Sequence, residues 1–161
     1  MSLTIETGAG VAGADSYVTT SECTAIAAKY FAQPLTGSDA HREVALRRAW
    51  VFMAALDWKT DADGVSLWPT FGGTIPQAVK DAQVVFARLE FQNEGTLSPD
   101  VIISGKKVLT QVGSLGWTTQ SSRNTVEDAR PVVTMAMDLL RPYLARDPAR
   151  DGGRTTFLER G

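Results

Sequence analysis

The sequence predicts a mainly α fold: a four-helix bundle-like core with an inserted β-hairpin and extended N- and C-terminal arms. Three observations predict it. Four stretches place apolar residues at helical spacing and open on capping or proline signals. One stretch, about residues 106–119, alternates as two paired strands do. Glycine near one end and alternating charge at the other leave the termini too few apolar residues to close a core.

Residues 3–14 begin as a short strand and turn glycine-rich at Gly8, Gly10 and Gly13, which reads as an adaptable arm. Thr19 and Glu22 have the spacing of a capping box, so the first helix runs from Thr20 to Phe31 and buries Cys23, Ile26, Ala27 and Tyr30. Pro34 and Gly37 end it. Ser38 caps a second helix through about Trp58, with Asp39 and Glu43 near its positive end. Val44, Ala45, Arg48, Val51, Phe52 and Ala55 fall along one side, and Trp50, Met53 and Leu56 widen the apolar surface. A helix so apolar is covered on more than one side, by the rest of a bundle or by a neighbouring chain.

Between Lys59 and Gly73, Trp68, Pro69 and Phe71 sit in a polar stretch. Rings of that size fold back as a structural plug on the helices. Pro76 opens a third helix in its first turn, with Val79, Ala82, Val85, Phe86 and Leu89 as its stripe and Gly95 as its left-handed stop. Gly113-Ser114 suits a two-residue hairpin turn that sets Val112 against Leu115 and Thr110 against Trp117. Val101-Ile102-Ile103 offers a third strand. Pro131 starts a fourth helix burying Val132, Met135, Ala136, Leu139 and Leu140, which Pro142 kinks or ends while Tyr143 and Leu144 pack the break. The organisation is one helical domain over 1–145 and a flexible tail over 146–161.

Composition narrows the function. The 161 residues carry a formal net charge of -2, so the whole chain is not a cationic sleeve for nucleic acid. No apolar run reaches the roughly 18–20 residues of a membrane helix, and the first residues lack the start of a secretory signal. One cysteine, Cys23, makes no internal disulfide and points to a reducing compartment. One histidine, His41, leaves little for zinc or His-based catalysis, so no enzymatic activity, metal or cofactor is expected.

Each candidate group has a plainer reading. His41 lies in a first helical turn and reads as a surface or cap residue. Cys23 reads as a small buried hydrophobe. Asp57, Asp61, Asp63 and Gly64 lack the full calcium-loop pattern, though a metal-dependent hydrolase would draw on those carboxylates. Gly72-Gly73-Thr74 precedes a helix without the Gly-Lys-Ser/Thr of a phosphate loop. Arg42, Arg47, Arg48, Lys80 and Arg88 are interleaved with acids, as on a solvated helix face. Trp50, Trp58, Trp68 and Trp117 read as packing anchors. The arm, the hairpin and the tail either gain order on another chain or are frayed ends and a ribbon packed on its own helices.

Asp15-Ser16-Tyr17-Val18, Arg48-Ala49, Leu67-Trp68-Pro69, Ile75-Pro76-x-Ala78-Val79-Lys80-x-Ala82-Gln83, the hairpin through Val112-Gly113 and Leu139-Leu140-Arg141-Pro142 follow in order over residues 3–145. In these blocks the chain resembles the head-to-tail connector (adaptor, or head-completion) proteins of tailed bacteriophages. Chains of this kind are also described as DnaT-like single-strand-binding proteins. The connector family usually has Arg after Trp-Pro, where this chain has Thr70.

The resemblance implies a structural adaptor in the virion, assembled in the host cytoplasm. It would form a homo-oligomeric ring, commonly of twelve copies, under the portal protein and join it to a tail or neck terminator or stopper protein. DNA passes the channel without specific binding, and no membrane is involved. The tail residues Arg146, Arg150, Arg154, Phe157, Leu158 and Arg160 would dock on the portal. Val112, Gly113, Ser114, Leu115 and Trp117 of the hairpin would serve subunit or tail-side contacts. The alternative is a single-stranded-DNA-binding accessory protein.

Overall fold

In the computed structural model, which describes residues 2–32, 35, 37–98 and 131–145, the fold is mainly helical. Among the described residues there are four α-helices, α1 (Thr20–Tyr30), α2 (Asp39–Ala54), α3 (Gln77–Gln92) and α4 (Thr134–Leu140), and no regular strand. The hairpin at 106–119 and the tail at 146–161 lie outside the described residues.

The first helix forms as its local chemistry dictates. The Thr19 hydroxyl accepts the Glu22 N–H at 3.1 Å, and the Glu22 carboxylate accepts the Thr19 N–H at 2.8 Å. Ser38 caps α2 through the His41 N–H. This helix ends four residues before the expected Trp58. The Trp58 indole N–H folds back onto the Met53 carbonyl at 2.8 Å, and Ala55 and Leu56 donate to Phe52 and Met53 in a tightened last turn. The chain then runs extended beside the segment after α4: Lys59 donates to the Tyr143 carbonyl and Ala145 to that of Asp57.

α3, not α2, is the central helix. It packs against α1, α2 and α4, and Val79, Asp81 to Ala87 and Glu90 are all buried. The stripe assigned to α2 needs correction for the same reason. Ala45, Leu46, Ala49, Phe52 and Met53 face the core, while Val44 and Val51 are 39% and 65% exposed. One position is 100° of helix, so a small rotation toward α3 moves those valines to solvent. α4 differs likewise. It starts at Thr134 rather than Pro131 and buries Ala136, Met137 and Leu140, leaving Val132 and Met135 exposed. Pro142 does end it, in a 3-10 turn over Arg141–Tyr143, with Leu144 buried and Tyr143 half-buried.

The N-terminal segment is no extended arm. Thr4 and Asp15 exchange two bonds, of 2.7 and 2.9 Å, and Glu6 donates to the Ser16 carbonyl at 2.8 Å, closing residues 4–16 into a loop. Inside it the buried Glu6 carboxylate accepts the N–H groups of Gly8, Gly10 and Val11 at 2.8–3.0 Å. Arg47 of α2 clamps the outside through Asp15 at 2.6 Å and the Ser2 carbonyl at 3.1 Å. Gln83 of α3 pins the exit from the loop, accepting the Tyr17 N–H and donating to Ser16 and to the Leu46 carbonyl.

Candidate functional site

The expected plug is present. Trp68 packs at 4.6 Å from Trp50, 5.1 Å from Trp58 and 5.3 Å from Tyr17, measured between ring centres. Phe71 meets Trp58 and Tyr143 edge-on. The Trp68–Pro69 peptide is cis, and the Pro69 carbonyl accepts the Tyr17 hydroxyl at 2.8 Å. Burial and the nearby Glu6 charge push the Tyr17 phenol far above its ordinary range, so this hydroxyl is a fixed donor. Six aromatic side chains from four segments thus interlock, and their role is to hold the 59–73 loop on α2.

Cys23 is buried, and burial raises its thiol to about 11, so it packs as a hydrophobe. Asp61 organises its own turn by accepting the N–H groups of Asp63 and Val65. Among the described residues no three metal-ligating side chains cluster. Gly72-Gly73-Thr74 backs onto the N-terminal loop: a Cβ on Gly8 would stand 2.3 Å from the Gly73 carbonyl oxygen. Val112, Gly113, Ser114, Leu115 and Trp117 lie outside the described residues, as do Arg146, Arg150, Arg154, Phe157, Leu158 and Arg160.

Charge is partitioned along the chain. The described residues hold eight of the sixteen Lys and Arg but twelve of the eighteen Asp and Glu, a net of −4. Most of those cations meet carboxylates: Lys29 with Asp81, Arg42 with Asp39, Arg47 with Asp15 and Glu43, Arg48 with Glu90 and Glu94, Arg141 with Asp138. Asp81 and Glu90 are the two buried acids of this set. The pKa of Asp81 is shifted: burial raises it, but hydrogen bonds from Tyr30, Gln77 and Lys29 outweigh that and hold its carboxyl below the usual range. Bonding to Asp81 in turn raises both Lys29 and Tyr30.

Two features of the surface went unread in the sequence. One is a groove of about 200 Å³ lined by Arg47, Arg48, Val51, Glu90, Leu97 and Ser98. The other is a row of aromatic and cationic side chains where α1 ends. The Arg88 guanidinium sits 3.9 Å from the Phe31 ring centre, and the His41 imidazole stacks on Phe91 at 4.4 Å with 25° between planes. Lys29 over Tyr30, at 4.9 Å, extends the row. The signal that could have found it is the Lys29-Tyr30-Phe31 run closing one helix, with Arg88 and Phe91 three residues apart on another.

A family model described as "Putative DnaT-like ssDNA binding protein" matches residues 1–161. No curated protein and no solved structure matches.

Proposed function

This chain belongs to the DnaT-like ssDNA binding protein family, and on that premise we propose that it is a non-enzymatic accessory protein that binds single-stranded DNA. The family match over the whole length carries the reading. The charge partition sets its character: an acidic, internally paired helical body does not grip phosphates strongly, so binding is weak, in the micromolar range, and only modestly salt-dependent. Lys106, Lys107, Arg123 and Arg130, and the four arginines of the tail, supply the other half of the positive charge. Anisotropy of a labelled oligonucleotide tests this. A saturable rise at low salt that falls as salt is added supports it, and a flat titration at low salt removes it.

A second reading is favoured by the uncovered apolar side chains Val44 and Val51 on α2 and Val132 and Met135 around α4. Exposed apolar side chains offer contact points for other copies or for partners. Here the chain is a structural adaptor at the head-to-tail junction of a tailed phage. It forms a ring under the portal, carries the tail or neck protein, and lets DNA pass through the channel. Its tail meets the portal, and its hairpin meets the neighbouring subunit or the tail side. Imaging of particles assembled without this protein tests it: capsids lacking tails support the reading, and normally tailed particles eliminate it.

A further inference from the structure

We propose that the outer faces of His41 and Arg88 form a stacking platform for the bases of single-stranded DNA. The proposal rests on the single-strand-binding reading above and gives it a place on the molecule.

Four side chains from three segments build the platform on the C-terminal half of α3. Phe31, the residue after α1, backs the Arg88 guanidinium at 3.9 Å. One turn further along α3, Phe91 backs the His41 imidazole at 4.4 Å in a near-parallel stack. Arg88 and Phe91 stand three apart on the helix, so the two pairs are neighbours, with about 5–6 Å between their Cβ atoms. Phe31 and Phe91 both pack on the core; Phe91 covers one face of the imidazole, and the Arg88 guanidinium carbon stands over the Phe31 ring. His41 is exposed and Arg88 half-buried, so the outer face of His41 is open to solvent. Gly37 permits the close approach of the α1–α2 connection: a Cβ there would lie 2.6 Å from Phe91 Cζ.

Chemistry and charge both select the ligand. Unstacked bases pile on aromatic rings and on guanidinium planes, whereas a duplex hides those base faces. Among the described residues no carboxylate pairs with Arg88, while Lys29 and Arg42, next in the chain to Tyr30 and His41, are offset by Asp81 and Asp39. The row therefore carries about one net positive charge on a body of net −4. One uncompensated cation with two flat faces suits contact through bases, with a shallow salt dependence.

The test uses the full chain and a fluorescein-labelled oligo-dT in low salt. His41→Ala and Arg88→Gln are each expected to weaken binding about tenfold. His41→Trp is expected to tighten it, a gain that misfolding does not mimic. Arg88→Lys keeps the charge without the plane and is expected to bind about as weakly as Arg88→Gln. Full affinity in Arg88→Lys would overturn stacking on that side chain in favour of a phosphate contact. If the unaltered protein binds and all four variants match it, while Lys106→Gln with Lys107→Gln weakens binding, the platform falls and the single-strand reading stands. If the unaltered protein does not bind, both fall together.

Discussion

Glu90, near the end of α3, reaches past the helix terminus and accepts the backbone N–H of Leu97 at 2.6 Å. The same carboxylate accepts the Gly95 N–H at 2.8 Å and meets Arg48 of α2 at 3.4 Å. It organises the turn that leaves α3 and ties that turn to α2. Glu90 is 2% exposed, so removing it strands the buried Leu97 N–H and takes the partner from the half-buried Gly95 N–H. Glu90→Ala is expected to cost about 2–4 kcal/mol, with Glu90→Gln costing less because the amide oxygen still accepts. Urea unfolding of the three proteins measures it.

Two carboxylates held below their usual range carry acid stability, Glu22 through the Thr19 backbone N–H and, more deeply buried, Asp81. The folded pKa of Asp81 lies below the unfolded value, so its contribution is present above about pH 4 and is lost as pH falls through the folded pKa. Lys29 and Tyr30 are shifted upward, and their contributions change only in the alkaline range, about pH 10 and above. The unaltered protein is therefore expected to lose stability steeply below about pH 4, and Asp81→Asn to show a flatter acid limb from a lower plateau. Urea midpoints between neutral pH and the acid limit give the comparison; parallel curves would contradict the assignment.

How far the sequence could be read depended on how local the cause was. The capping box of Thr19 and Glu22, the Ser38 cap and the stop at Pro142 involve neighbours in the chain, and each was legible. The Trp68–Phe71 plug was legible because large rings leave water wherever they lie. The buried side of α2 was not: Val44, Ala45, Val51 and Phe52 offer competing stripes, and only the position of α3 chooses between them. Nor was the role of Glu6 legible, since it comes from three backbone N–H groups that a glycine-rich segment offers only once folded. The His41–Phe91 and Phe31–Arg88 pairs join segments far apart in the chain: spacing puts Arg88 and Phe91 on one face of α3, but only the fold brings His41 and Phe31 to them.

Gly8 stands at φ +103 with the Gly73 carbonyl where a Cβ would be, whereas Gly13, at φ +73, faces open space. Both substitutions carry the left-handed strain of about 1–2 kcal/mol. Only Gly8→Ala also forces the N-terminal loop off the Gly72-Gly73 turn. Gly8→Ala is expected to lower the Tm clearly more than Gly13→Ala, and equal shifts in thermal unfolding would argue against the contact.

Cys23 reports on the packing of α1. It is 1% exposed and its thiol is raised to about 11, so at pH 8 both access and thiolate fraction are suppressed. Reaction with a chromogenic disulfide reagent is expected to be at least about a hundredfold slower in the folded protein than in urea. A rapid native reaction would mean that α1 opens readily from α3.

Trp68 decides whether the 59–73 loop is part of the body. Its ring touches Tyr17, Trp50 and Trp58, which come from the N-terminal loop, α2 and the segment after α2. Trp68→Ala removes the shared member of that cluster and is expected to cost about 3–5 kcal/mol. Tyr17→Phe keeps the ring but loses the bond to the Pro69 carbonyl, and is expected to cost about 1 kcal/mol. The two effects should not add, because both act on the same loop. Once Trp68 is gone the Pro69 carbonyl is no longer held against Tyr17, so Tyr17→Phe should be nearly silent in the Trp68→Ala background. Urea unfolding of the single and double variants measures the coupling, and simple additivity would show that the loop stays seated without its tryptophan.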